Sequence, residues 1–247
     1  MKSSTLMNSF LYLVLALICV SSIGCGPNFG EKLVLEETEI YYKDGATLAD
    51  AQRLGDKLAE MKFIDGKAKS VQLLKRDDVW EFRMAVGKSS ADSEQIKNQM
   101  KTYCIELSSA LDGDPVEVHI CNQALESKSI VKGMSGKRHQ IGDTVYFYKD
   151  IDLDTVKNFA AIPVATKLDP GGSTFHLSKS ADAIEIRMSH VDEAKENRQV
   201  MSAATATAVA VSNKLFGGKQ VDVLICDPYF ESPKVFSSVK KAKPAAP

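Results

Sequence analysis

Four short blocks of sequence occur twice in this chain, in the same order and at nearly constant spacing. They are YYKD (41–44) and FYKD (147–150), EFRM (81–84) and EIRM (185–188), VEVHIC (116–121) and VDVLIC (221–226), and ES (126–127) and ES (231–232). The spacing is 106, 104, 105 and 105 residues. A drift of one or two residues in this spacing is typical of loops, where insertions are tolerated. The chain is therefore a tandem duplication of one structural unit.

Each copy predicts the element order strand, helix, strand, strand, helix, strand. In the first copy, apolar residues at helical spacing fill 47–63 and 93–111, and β-rich runs fill 38–43, 70–74, 79–86 and 116–121. This order is typical of a ferredoxin-like βαββαβ sandwich. We therefore predict an α+β fold: a tandem ferredoxin-like sandwich, each copy an antiparallel sheet with its helices on one face.

The same patterns predict the domain boundaries. They are a signal peptide at 1–25, a tether at 26–37, a first module at 38–127, a linker at 128–142, a second module at 143–232 and a disordered basic, Pro- and Ala-containing tail at 233–247. The copies differ at Pro163, which falls where the first copy has Leu58 in mid-helix. Because proline disrupts a helix interior, the first helix of the second copy should be short or kinked.

The N-terminus carries the pattern of an export signal. Lys2 precedes the apolar run 10–20 (FLYLVLALICV), which is short for a membrane span, and the run is followed by Ser22-Ile23-Gly24-Cys25. A small residue followed by cysteine resembles a bacterial lipobox. This predicts an exported protein of the cell envelope, attached to a membrane through a lipid on Cys25. Secretion in soluble or periplasmic form after cleavage near Gly24 and an uncleaved anchor are the alternatives.

Composition and motifs give no sign of nucleic-acid binding, metal binding or catalysis. The 31 Lys and Arg residues balance 32 Asp and Glu residues, so no nucleic-acid partner is expected. The four histidines and five cysteines have no metal-ligand spacing, and no known catalytic motif is present. We expect no metal, no cofactor and no catalytic residues. Cys104, Cys121 and Cys226 are expected to be buried free thiols, with one internal disulfide as the alternative.

Strand alternation assigns side chains to the two faces of each sheet. Phe82 and Met84 should face the helices, so Glu81 and Arg83 face away from them, and Glu185 and Arg187 do the same in the second copy. These four residues are the candidate binding residues. A solvated face with a weak ion pair, or packing of the two modules on each other, are the alternatives.

The first copy also resembles a known module. The strings EIYYKDGATLADAQRLGDKLAE, KSVQLLKRDDVWEFRMAV and VEVHIC resemble a module of uncharacterised bacterial proteins, with an E-[IL]-Y-Y start, an A-x-x-L-G helix, an S-V-Q-L strand and a final V-x-[IV]-x-[LI]-C strand. The likeness covers 39–121 and, more weakly, the second copy, which lacks the A-x-x-L-G helix. The resemblance implies no activity and no functional residues.

These observations favour a non-enzymatic, envelope-tethered interaction or binding protein, with an unidentified protein as a possible partner. The alternative is a small-ligand binder or enzyme whose site lies in the cleft between the modules. A concave pocket lined by Glu81, Arg83, Glu185 and Arg187 would favour that alternative, and a dry packed contact would count against it.

Overall fold

The computed structural model describes residues 28–87, 93–163, 168, 173–180, 183–189 and 197–238. From Glu31 onward these residues belong to one compact unit. The predicted signal peptide, including Cys25, lies outside the described residues, as does most of the predicted tail.

The first repeat contains six strands and two helices. They are β1 (Glu31–Leu35), β2 (Thr38–Lys43), α1 (Leu48–Glu60), β3 (Lys69–Arg76), β4 (Val79–Ala85), α2 (Glu94–Ala110), β5 (Val116–Cys121) and β6 (Ser127–Lys132). We call residues 31–132 the first repeat.

The second repeat has the same elements in the same order. They are β7 (Lys137–Ile141), β8 (Thr144–Lys149), α3 (Leu153–Ala160), β9 (Thr174–Lys179), β10 (Ile184–Ser189), α4 (Arg198–Leu215), β11 (Val221–Cys226) and β12 (Lys234–Ser237). We call residues 137–238 the second repeat. The α+β duplication predicted from the four blocks is confirmed at this level.

The strand order corrects the ferredoxin-like prediction. Each repeat forms a six-stranded sheet with its strands in chain order. The strands joined by a helix are direct parallel neighbours, as in the pairings Ile40↔Val71 and Phe82↔Val118, while the hairpin pairs are antiparallel. A ferredoxin-like sheet is antiparallel and splits its βαβ units with an intervening strand. Element order and alternation leave the neighbours of a strand undetermined, which is why the sequence pattern gave the wrong sheet.

The predicted tether, linker and tail contain strands that extend these sheets. Strand β1 lies in the predicted tether, β6 and β7 occupy most of the predicted linker, and β12 lies at the start of the predicted tail. Strands β1 and β6 are the edges of the first sheet, and β7 and β12 are the edges of the second. The modules are therefore longer than predicted on both sides.

Within each repeat, both helices pack on one face of the sheet. One apolar cluster joins Leu54 and Leu58 of α1, Leu107 of α2, and Phe82 and Val118 of the first sheet. The inward positions of Phe82 and Met84, predicted by alternation, are confirmed. The same alternation holds in the other central strands, where the inward residues are Val116, Val118, Ile120, Ile186, Met188, Val221, Val223 and Ile225. We call the opposite side of each sheet its outer face.

Helix lengths follow the local sequence. Helix α1 begins with a capping box, in which the Thr47 side chain accepts from the Asp50 backbone and Asp50 accepts from the Thr47 backbone. Helix α3 has only 8 residues, against 13 in α1, and ends three residues before Pro163. The predicted short helix is confirmed.

Helix α2 connects the repeats, because it packs on two sheets. Its inward residues Cys104 and Leu107 belong to the core of the first repeat. On its other side, Ile105 is 3 % exposed and contacts a cluster on the outer face of the second sheet, made of Phe147, Leu224, Cys226 and Phe230. Two polar contacts accompany it: Lys101 Nζ lies 2.7 Å from Glu231 Oε2, and the Gly136 backbone donates to Ser108 Oγ at 2.9 Å.

Candidate interaction surface

The predicted binding residues of the first repeat form an ion pair on the outer face of the first sheet. Glu81 and Arg83 are two residues apart on β4 and therefore point to the same side. Arg83 Nη2 and Nε donate to Glu81 Oε2 at 2.7 and 3.1 Å. Arg76 Nη1 lies 3.4 Å from the other Glu81 oxygen. The Glu81 side chain is largely buried, and the two arginine side chains balance its negative charge.

The second repeat reproduces the pair in different surroundings. Arg187 Nη2 donates to Glu185 Oε2 at 2.9 Å, and Arg187 Nη1 donates to the carbonyl oxygen of Phe230 at 3.2 Å. Phe230 is one of the residues that contact Ile105 of α2. The second pair therefore lies on the face that packs against the first repeat.

The structure does not bring the two pairs together into one pocket. Glu81 and Arg83 face away from the helices of the first repeat, whereas Glu185 and Arg187 lie on the face of the second sheet that meets α2. Apolar side chains pack the contact between the repeats, beside a cavity of about 90 Å³ lined by Ile105, Met134, Phe147, Tyr229 and Phe230 among others. None of the four candidate residues is among those that line this cavity. The contact is thus packed and apolar rather than a charged cleft.

His119 is a residue of the outer face to which the sequence analysis gave no role. It lies on β5, directly beside Arg83 of β4, and is 5 % exposed. Neither ring nitrogen has a hydrogen-bond partner, and the nearest carboxylates are those of Glu117 at 3.8 Å and Glu81 at 3.9 Å. Burial lowers the pKa of His119, and these carboxylates oppose that shift. A buried polar group without a partner costs free energy, so His119 has unused bonding capacity.

A signal for His119 was present in the duplication. The repeat alignment places His119 opposite Leu224, which is buried against α2. The same comparison places Tyr41 opposite Phe147 and Leu125 opposite Phe230. The outer face is thus apolar where α2 packs on it and more polar in the first repeat.

His176, on the outer face of the second sheet, contacts the segment that joins the two repeats. It is 1 % exposed, and its Nε2 lies 2.9 Å from the carbonyl oxygen of Ser135. Burial lowers the pKa of His176 to about 4, although the Ser135 carbonyl acts in the opposite direction. At neutral pH the ring is uncharged and donates this bond.

The three cysteines of the described region are buried thiols that form no disulfide, as predicted. Burial raises the pKa of Cys104 to about 12 and that of Cys121 to about 11. Because the thiolate is the reactive form, neither thiol is prepared for nucleophilic chemistry at neutral pH.

Two larger clefts lie away from the candidate residues. One, of about 540 Å³, is lined by Val34, Glu39, Phe63, Ser70 and Met84 among others; the second, of about 590 Å³, is lined by Asp112, Asp114, Lys137, Asp150 and Asp152 among others.

The described residues bring together no group of three or more His, Cys, Asp or Glu side chains that could hold a metal ion. Each helix in the described part of the chain is too short or too polar to span a bilayer.

Comparison with known proteins finds a family whose domain resembles the first repeat. No curated protein and no solved structure matches the chain. Residues 32–132 match the model of a family N-terminal domain, AF_1994_N, an uncharacterised family. The matched segment runs from β1 to the end of β6 and coincides with the first repeat. Over these residues, the chain is therefore similar to the N-terminal domain of that family.

Proposed function

We propose that this protein is a non-enzymatic interaction protein of the cell envelope, attached to a membrane through Cys25, and that it binds a protein partner through the outer face of the first sheet. The observation that carries the proposal is the exposure of apolar side chains at the two edges of that face, where Val34 is 52 % exposed and Ile130 is 51 % exposed. The outer face of the second sheet packs on helix α2. No helix of the described residues packs on the outer face of the first sheet.

The chemistry of the first outer face suits a contact that forms and dissociates. Contacts that alternate with solvent are about as polar as ordinary surface, whereas permanent contacts are more apolar. Tyr41 and His119 stand where the packed face has Phe147 and Leu224. The ion pair of Glu81 and Arg83 is already complete, so a neutral partner surface could cover it without leaving a charge unpaired.

Site-specific crosslinking in cells tests this function. A photoreactive amino acid replaces Val34, which is 52 % exposed on the outer face, or Leu48, which is 54 % exposed at the start of α1. We expect a discrete crosslinked protein from position 34 but not from position 48. We also expect Ile130→Lys, which adds a charge to the same face, to weaken that product. Equal products from both positions would contradict the proposal.

The anchor is tested separately. In cell fractionation, the wild-type chain should be found with membranes and Cys25→Ser in the soluble fraction, because the lipid cannot attach to serine. If Cys25→Ser remains fully with the membranes, the proposed lipid attachment is wrong.

A further inference from the structure

The segment that joins the two repeats is held from both sides. From the first repeat, Ser108 Oγ of α2 accepts a hydrogen bond from the Gly136 backbone at 2.9 Å. From the second repeat, His176 Nε2 donates to the Ser135 carbonyl oxygen at 2.9 Å, and Lys149 Nζ donates to Ser135 Oγ at 3.0 Å. His176 is therefore part of the joint that keeps helix α2 on the second sheet.

The second ring nitrogen of His176 has no acceptor for a proton. Nδ1 is buried and has no hydrogen-bond partner among the described residues. The ring lies directly between Phe147 of β8 and Arg187 of β10. Protonation would therefore place a charged N–H group in a buried site, beside an aromatic ring and a guanidinium group and without an acceptor. A buried charge of this kind is strongly unfavourable.

The charges around His176 add to this cost. Arg187 and Lys149 disfavour a positive ring, and Glu185 favours it. The Glu185 carboxylate is already bound by Arg187 at 2.9 Å. The other charged groups of the contact have partners of their own, which are Lys101 with Glu231, Glu106 with Lys57, and Asp227 with the backbone of its own loop. A protonated ring in the closed joint thus adds a third positive charge opposed by one carboxylate.

The contact is the weakest packed region of the unit. It joins Ile105 to a few apolar side chains of the second sheet and leaves a cavity of about 90 Å³ beside them. The core of each repeat extends instead over two helices and the central strands of its sheet. Opening the contact therefore requires less free energy than unfolding either core.

We propose that protonation of His176 separates helix α2 from the second sheet while both repeats stay folded, so that the contact between the repeats is an acid-sensitive switch. In the open state, water reaches His176 Nδ1, and the apolar outer face of the second sheet is uncovered. The switch adds a regulated surface to the molecule, and it does not depend on which partner the first sheet binds.

The pH range of the switch follows from the two states of the ring. Burial lowers the pKa of His176 to about 4 in the closed joint. In the open joint the ring meets water and has an ordinary pKa of about 6.5. The closed state is thus favoured above pH 6.5 and loses its advantage as the pH falls towards 4. Between pH 7 and pH 5, the ratio of open to closed molecules should rise roughly 20-fold.

Cys226 allows the opening to be measured in the full chain. It is 0 % exposed in the contact between the repeats, whereas Cys104 is 0 % exposed in the core of the first repeat. The chain is treated with dithiodipyridine, which reacts with thiols at acid as well as neutral pH, and the labelled peptides are identified by mass spectrometry. Each rate is divided by that of the same cysteine in urea at the same pH, which removes the pH dependence of the reagent.

We expect the normalised labelling rate of Cys226 to rise roughly 20-fold from pH 7 to pH 5, while that of Cys104 stays unchanged. His176→Gln should abolish the rise, because the amide can donate to the Ser135 carbonyl but gains no charge. His119→Gln is the matched control, since it removes the other buried histidine with a lowered pKa but lies outside the contact, and it should leave the rise in place.

An equal rise at Cys226 and Cys104 in the wild-type chain would mean that acid unfolds the whole unit, and it would overturn the switch. The absence of any rise at Cys226 would overturn it as well. These two outcomes need only the wild-type chain, so the test does not depend on the stability of a variant. A rise that persists in His176→Gln would show that His176 is not the group that opens the contact.

Discussion

At the scale of single residues, the duplication supplies matched substitutions. His119 and Leu224 occupy equivalent strand positions, one buried without a hydrogen-bond partner and the other buried against α2. A change at either position can therefore use a residue that the same fold already accommodates in the other repeat.

We expect the exchange of these two residues to be strongly asymmetric. Leu224→His should lower the free energy of unfolding by about 2–4 kcal/mol, because it removes apolar contacts and buries an unpaired polar ring. His119→Leu should leave it unchanged or raise it by up to about 1 kcal/mol, because no hydrogen bond is lost. Urea unfolding measures both values, with Leu224→Ala as the control for lost contacts. Equal losses in both exchanges would contradict this account of the two faces.

His176 should make stability depend on pH. Its pKa is about 4 in the folded protein and about 6.5 when unfolded, so the unfolded state binds the extra proton first. The contribution of the uncharged His176 ring to the free energy of unfolding is therefore fully present above pH 6.5. It is lost as the pH is lowered towards 4, by on the order of 3 kcal/mol in total. Arg187 and Lys149 disfavour protonation of the His176 ring, and Glu185 favours it. The pKa of His119 is also lowered, so protonation of His119 reduces the free energy of unfolding in the same pH direction.

Replacement by the equivalent residue of the first repeat tests this dependence. Gln72 occupies the position of His176, so His176→Gln should keep a donor for the Ser135 carbonyl and flatten the loss between pH 6.5 and 4.5. Below pH 4.5, protonation of carboxylates also lowers the free energy of unfolding, because the pKa values of Asp50, Glu60 and Asp152 are lowered in the folded protein. An unchanged slope in urea unfolding across pH 4.5–7.5 would assign the dependence to other groups.

At the scale of elements, Gly55 explains the A-x-x-L-G pattern of α1. Alanine at an interior glycine normally stabilises a helix by roughly 1 kcal/mol. Here a Cβ atom would overlap Leu35 Cδ1 and lie 3.1 Å from Ile40 Cδ1. The glycine thus lets α1 approach β1 and β2 closely.

Gly55→Ala should therefore lower the free energy of unfolding by about 1–2 kcal/mol, against the usual helix preference. In a Leu35→Ala background the same change should become neutral or stabilising, because the space it needs is then free. Thermal or urea unfolding of the four proteins gives the interaction energy between the two positions. Additive effects would show that Leu35 does not limit this site.

The elements differ in how well the sequence predicts them. Alternation in β4 and β5 gave the correct faces because one side of each strand is continuously apolar. The edge strands β1, β6 and β7 were missed because their sequences EKLVL, SKSIVK and KRHQI carry charges that resemble connecting chain. Charged residues on edge strands protect sheets from unwanted pairing, so this error has a physical origin. Strand order depends on long-range pairing, which local patterns do not encode.

At the scale of the whole molecule, local sequence patterns could not show that helix α2 packs on the outer face of the second sheet. The sequence placed Glu81, Arg83, Glu185 and Arg187 on outer faces, but it did not distinguish the two faces. The distinction depends on Ile105, which lies off the main apolar stripe of α2. The outward-facing Phe147 and Leu224 were the corresponding signal on the second sheet. Matching such residues across 40 to 120 positions of sequence requires the fold.

Separating the repeats should affect them unequally. Residues 31–132 keep their own core and newly expose mainly the Ile105 side of α2, so this segment should fold as a cooperative, soluble unit. Residues 133–238 newly expose the apolar outer face that contains Phe147, Leu224 and Phe230, so this segment should aggregate or unfold more readily. Light scattering after size-exclusion chromatography and urea unfolding of each segment measure the difference.

The effect of Leu224→His should be opposite in the full chain and in the isolated second repeat. Leu224→His destabilises the full chain, where the side chain is buried against α2, but it should improve the solubility of the isolated second repeat, where the same position meets water. Mixing the two wild-type segments should restore a one-to-one complex, and Ile105→Lys in the first segment should prevent it. If the isolated second repeat is as soluble as the first, and Leu224→His does not change its solubility, then the outer face of the second sheet does not depend on α2 to cover its apolar side chains.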